Sequence, residues 1–131
     1  MITWRQLTEA DLLTAVSGAE LDQWRALALA AGQADPVAPT ITQVTEQIRS
    51  YAQRVVTIGP KGTIPESLLT EAVDLTVARI ENRVGVSATD ARKDAARAAL
   101  DRLKGLKGVD VDPTATPPSR VGWGGDRKIC I

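Results

Sequence analysis

Gly59-Pro60-Lys61-Gly62-Thr63 is the stretch of this chain nearest to a chemical motif, because glycines beside a lysine and a threonine are how many proteins cradle a phosphate. The spacing does not fit. The GxxxxGK[ST] pattern is missing, and the residues before it carry a helical period where a phosphate loop follows a strand. A plain turn is the stronger reading. Asp110 and Asp112 place two carboxylates close together, but a hard cation such as calcium takes six or more oxygens, so a solvated turn is again preferred. The chain has no histidine, which removes the commonest general base and metal ligand. Its single cysteine, Cys130, has no histidine to activate it and no companions for zinc. The residue types therefore point to no catalytic, cofactor-binding or metal-binding site.

What remains is chemistry of contact. Arg79 and Arg83 lie one helical turn apart and are predicted to project into the middle of an apolar helical arc. Either both snorkel, stems packed and guanidinium groups reaching water or a carboxylate, or this end of the helix faces a partner's acidic groups or a nucleic-acid phosphate. Trp123, in Gly122-Trp123-Gly124-Gly125, has no helical neighbours and reads as an aromatic anchor for a partner's pocket. The closing Arg127-Lys128-Ile129-Cys130-Ile131 could add a strand to a partner's sheet edge. With Arg120, the residues Trp123, Ile129 and Ile131 complete the expected partner-binding set. Arg92, Lys93, Arg97, Arg102, Lys104 and Lys107 form a basic run, but Asp90, Asp94 and Asp101 interrupt it, as on a solvated face.

The element that must position the arginine pair is Ile64 to Gly85. Pro65 suits the first helical position, Glu66 and Glu71 lie towards the positive end of the helix dipole, and Gly85 can supply a left-handed cap. Its apolar residues, from Leu68 to Val84, spread over more than half the circumference, wider than the ~100° stripe of a surface helix. At about 1.5 Å per residue it spans ~30 Å, the diameter of a small domain. It is therefore predicted to be the central helix of the fold, covered from several sides.

The covering elements can be read on either side. Thr8 with Asp11 and Ser17 with Glu20 have capping-box spacing, which predicts helices at about Glu9–Val16 and Gly18–Ala31, the second with Leu21, Trp24, Leu27, Ala28 and Ala31 on one face. Gly32 ends it, and Gln33 to Thr40, with two prolines, reads as a loop. Ile41 to Ile58 has a clear amphipathic period, and the short link after it predicts an antiparallel neighbour of the central helix. Ser87 and Asp90 repeat the capping spacing and open a last helix to about Leu106, with Ala91, Ala95, Ala98, Ala99, Leu103 and Leu106 on its buried face. From Val109 the composition changes, with three of the seven prolines and three glycines, and no helix is expected there. The expected architecture is all-α: a bundle of four to five helices around a central helix at about 65–84. Its helical domain is 1–108, and an extended Pro/Gly-rich arm occupies 109–131.

Length and charge bound the rest. The chain has 131 residues, one domain's worth, and 16 basic residues balance 16 acidic ones, so no global field draws it to nucleic acid or an anionic membrane. One cysteine excludes an internal disulfide framework and fits a reducing compartment. Arg5, Glu9 and Asp11 interrupt the first thirteen residues where a signal peptide would be apolar, and no apolar run approaches the ~20 residues that span a bilayer.

Trp4, then Leu7-Thr8-Glu9-Ala10-Asp11-Leu12, Ala19-Glu20-Leu21 and Ala30-Ala31-Gly32-Gln33-Ala34-Asp35-Pro36 resemble small structural proteins of tailed bacteriophages, the Mu-like head-tail connector or adaptor proteins. The similarity continues through Ile48-Arg49-Ser50-Tyr51, Gly59-Pro60, Gly62-Thr63-Ile64-Pro65 and the alanine-rich last helix, and covers about residues 4–108. Lys93-Asp94-Ala95 departs from the pattern, where an aromatic is common, and the tail matches nothing in it. The resemblance implies a non-enzymatic virion protein, made in the host cytoplasm, that needs no cofactor. It would form a ring of about twelve copies under the portal, join the capsid to a neck or tail component and touch channel DNA weakly. Complementary charge on two different faces is expected of such a ring. A small helical DNA-binding regulator is the alternative, and it would need an exposed recognition helix.

Overall fold

Thr8 and Ser17 start the first two helices as their spacing predicts. The structure, a computed structural model, describes residues 2–87 and 89–112. Within it Trp4–Arg5 (β1) precedes a short helix, Glu9–Leu12 (α1), and Gly18–Ala30 (α2) follows. The Asp11 carboxylate accepts from the Thr8 N–H at 2.8 Å and from Arg5 Nη2 at 2.8 Å, and the Ser17 hydroxyl accepts from the Glu20 N–H at 3.1 Å. The first helix ends four residues before the expected Val16, in a turn. On α2, Leu21, Trp24 and Ala28 are buried, whereas Leu27 and Ala31, expected on the same face, are exposed. The buried stripe is narrower than the apolar one.

The next helix, Val37–Ala52 (α3), begins four residues earlier and ends six earlier than its apolar pattern suggests. Asp35 Oδ1 accepts from the Val37 N–H at 2.9 Å. Pro39 then falls in the first turn, where backbone amides have no intrahelical partner and a missing N–H costs nothing. Gln33 to Pro36 lie outside the helix as expected, but Val37 to Thr40, read as part of the same proline loop, are its first turn. At the other end, Val55 and Val56 pack against the core from a turn.

Ile64–Pro65 forms a second strand (β2), antiparallel to β1 with Trp4 opposite Pro65 and Arg5 opposite Ile64. No strand is legible in the sequence here, and Pro65 therefore stands outside the helix it was expected to open. A 3₁₀ turn, Glu66–Leu68, leads into Leu69–Val84 (α4), and Gly85 closes it in the left-handed region with φ 77°. The central helix is thus four residues shorter at its start than expected. It packs against α1, α2, α3 and the following helix, Asp90–Lys104 (α5), and is buried nearly all round along its first three turns.

Thr89, not Ser87, caps α5, its hydroxyl accepting from the Arg92 N–H at 3.2 Å. Of the alanine face expected there, only Ala99 and Leu103 are buried; Ala95 and Leu106 are half-buried, and Ala91 and Ala98 are exposed. The helical body then continues past the expected boundary at residue 108. Gly108–Val111 forms a last turn (α6) whose Val111 is buried, and the Val111 carbonyl accepts from Ser67 Oγ at 2.7 Å. Asp110 and Asp112, expected in a free arm, belong to this docked turn and its exit.

Two close contacts give stability predictions. A Cβ at Gly59 would overlap the Trp4 indole, so Gly59→Ala should cost roughly 1–3 kcal/mol in urea unfolding, while Gly18→Ala, with open space around it, should change stability by less than about 0.5. Val111→Ala should cost roughly 1–2.5 kcal/mol, as expected for a buried methyl pair in the core rather than in an arm.

Candidate functional site

Glu81 lies in the last turn of α4 and is almost fully buried, which a carboxylate tolerates only with a cation beside it. Arg92, in the first turn of α5, supplies it. Its Nη1 is 3.1 Å from Glu81 Oε2 and 2.7 Å from Glu20 Oε2, while Nη2 reaches Glu20 Oε1 at 2.8 Å. The guanidinium therefore grips Glu20 of α2 with two bonds and Glu81 of α4 with one. It also sits over the buried Trp24 ring, 5.8 Å from its centroid. The bond from Arg92 holds the Glu20 carboxyl below its ordinary value of 4.5, and Glu20 in turn raises the Arg92 pKa. Three charged side chains and the Trp24 ring, from three helices, form one knot.

A second pair closes the other end of α4. Glu71 Oε1 accepts from Arg102 Nε of α5 at 3.0 Å, and Glu71 is itself buried. Its neighbour Asp74, one turn on, has its pKa raised by burial and then by the Glu71 charge, with Arg102 opposing. The basic run on the last helix thus loses Arg92 and Arg102 to internal glutamates. Arg97 pairs only loosely with Asp94, at 3.8 Å and in solvent.

The Gly59–Thr63 turn is organised by an arginine as well. Arg49 of α3 donates from Nη1 to the carbonyls of Pro60 at 2.7 Å and Thr63 at 2.8 Å, and from Nη2 to Gly59 at 3.1 Å. The turn offers this cation its carbonyl oxygens, which is the reverse of a phosphate cradle built from amides.

The predicted partner-binding arginines are both exposed. At 100° per residue they continue the line of Ala72 and Thr76, which are fully buried, so one side of α4 passes from core to solvent along its length. They do not project from the middle of a buried arc. Arg79 hydrogen-bonds Gln47 Oε1 of α3, and Arg83 makes no ion pair, hydrogen bond or ring contact among the described residues. Arg120, Trp123, Ile129 and Ile131 lie outside the described residues.

Arg92, Glu81, Glu71 and Arg49 were missed as structural ions because periodicity assigns charge to solvent. A signal did exist: Glu71 and Glu81 interrupt a helix that is apolar around more than half its circumference. Among the described residues no group of three or more acidic, histidine or cysteine side chains is placed to hold a metal, and no helix is long and apolar enough to cross a membrane. Comparison with protein-family models, with characterised proteins and with solved structures finds no match for this chain.

Arg92→Ala should cost roughly 3 kcal/mol, the lower end of the range for stranding a buried charge, because Arg92 is itself partly exposed. Arg97→Ala should stay within about 0.5 kcal/mol. A carboxyl with a depressed folded pKa stabilises above its unfolded value and loses that contribution as pH falls through the folded one. Stability should therefore drop with acidification below pH 4.5, and Arg92→Met should flatten that limb. Asp74 has the opposite sign. Asp74→Asn should stabilise at neutral pH, with the gain vanishing once pH falls below the ordinary aspartate value of 3.8.

Proposed function

We propose that this chain is a structural adaptor of a tailed-phage virion, a helical subunit that assembles into a ring beneath the portal and joins the capsid to the neck or tail. The observation that carries the reading is how the charges are used. The clustered carboxylates and guanidinium groups of the body hold α2, α4 and α5 together, while Arg79 and Arg83 stand exposed at one end of the central helix. That division, with internal ion pairs binding the helices and an exposed arginine pair at one end, suits a building block with a contact surface. The resemblance of its sequence pattern to Mu-like connector proteins is in keeping with the same reading.

The regulator alternative needs a basic helix free to read a groove. On α5 two of its five cations are committed to Glu20, Glu81 and Glu71, which weakens that reading. The adaptor reading places no membrane and no cofactor in the protein's work, and channel DNA is at most touched weakly.

Electron microscopy of the purified chain mixed with the portal protein of the same virion tests the proposal. Rings seated on the portal are expected. No portal binding, together with salt-sensitive binding to duplex DNA, would favour the regulator instead.

A further inference from the structure

Between the start of α4 and the end of α5 lies a cleft of about 470 Å³ lined by Ser67, Leu68, Glu71, Asp101, Arg102 and Asp110, among others. Its charge is unbalanced, with three carboxylates against one guanidinium. Glu71 on its wall is nine-tenths buried, and only Oε1 is paired; Oε2 is buried without a hydrogen-bond partner. Asp101 is exposed, and its side chain has no partner among the described residues. Two other buried side-chain oxygens, of Gln33 and Glu81, also lack a partner. The cleft beside Glu81 carries Lys93, however, and has no second carboxylate, so it makes no comparable demand for a cation.

Among the described residues, an unpaired cation that fits the Glu71 cleft is on the same helix but out of reach, while the unpaired lysines Lys61, Lys93 and Lys104 lie on other elements. Arg83 is the one described arginine without an ion pair, hydrogen bond or ring contact. It lies twelve residues from Glu71, ~18 Å along the axis and about 120° around it. The two cannot meet within one chain. Nor do they share a face, as a twofold contact would require, in which each copy offers both halves from one patch. We propose that the Glu71–Asp101–Asp110 cleft receives the Arg83 guanidinium of a second copy of this chain, in a head-to-tail contact. Arg83 then meets carboxylates at the mouth, Asp101 and Asp110, with Glu71 beneath, and Leu68 and Leu106 flank the stem. Repetition of such a contact gives a ring when the rotation closes and a filament when it does not.

The inference rests on the adaptor reading only for its expectation of self-association, and the two are separable, because portal binding is not measured here. Sedimentation velocity of the full chain over a concentration series should show association beyond a dimer that weakens with salt. Arg83→Asp and Asp101→Arg change exposed residues and should leave the circular dichroism unchanged. Each should weaken association by at least about tenfold, by setting like charges together. The double variant, with the charges exchanged, should recover most of the loss. A chain monomeric at every concentration, association that stops at a dimer, or single substitutions without effect would each overturn the contact.

Discussion

A carboxylate buried in a helical core is the constraint from which most of this fold follows. Glu81 is buried at the end of α4, and its charge is met by a cation from the first turn of α5. Arg92 reaches it, but a guanidinium has five donors in a fixed fork, and Glu20 of α2 takes the outer two bonds. Trp24 lies beneath the same fork and closes the gap between α2 and α5. A slip of α5 by one turn would put Ala96 where Arg92 stands and leave Glu81 buried alone. Such a pair adds little to stability over a well-packed apolar substitute. Its effect is on register, because every other docking of α5 carries the full cost of a stranded charge.

The small residues of α5 explain why register needs this help. Ala95, Ala96 and Ala99 meet α4 with short side chains that bring the helices close and leave few knobs to interlock. An alanine surface is nearly uniform, so hydrophobic burial alone distinguishes poorly between neighbouring registers. Two glutamates about three turns apart on α4, each answered by an arginine on α5, fix the register at both ends. Arg49 does for the Gly59–Thr63 turn what Arg92 does for the bundle, gathering three carbonyls on one guanidinium and setting the path between α3 and β2.

Much of the architecture is legible from local chemistry. The all-α class, the central position of Leu69–Val84, the caps at Thr8, Ser17 and Gly85 and the burial of Trp24 all follow from spacing and residue type. The misplaced boundaries have a common cause. Pro36 and Pro39 look like helix breakers, yet in a first turn proline has no amide to lose, so Asp35 can start α3 there. Ser87 and Asp90 match a capping spacing, but Thr89 has the backbone position that reaches the Arg92 amide. A two-residue strand pair is too short to carry an alternating pattern. Val111 follows a glycine-bounded break and shows only in three dimensions that it completes the core over Ser67.

Charge was the least legible layer, and the reason bears on function. A periodicity argument sorts residues into core and solvent, so it sends every arginine and glutamate outward, and the sequence reading singled out only Arg79 and Arg83 as anomalous. In the fold the assignments cross over. Arg92, which read as one of a solvated basic run, is an internal strut, and Arg79 and Arg83, which read as embedded in an apolar arc, are exposed. Two arginines of α5 are therefore used in holding the subunit together, while Arg83 at the exposed end of α4 stays uncommitted among the described residues. For a protein with equal numbers of acidic and basic residues, that division matters more than the total. Among the described residues part of the charge is paired where it stands, and what is left over includes Lys61, Lys93 and Lys104 as well as Arg83 at one end of α4 and an unbalanced acidic cleft at the other. In the proposed head-to-tail contact those two unlike ends of α4 would meet, and opposite charge across the contact is the electrostatic condition for such a repeat.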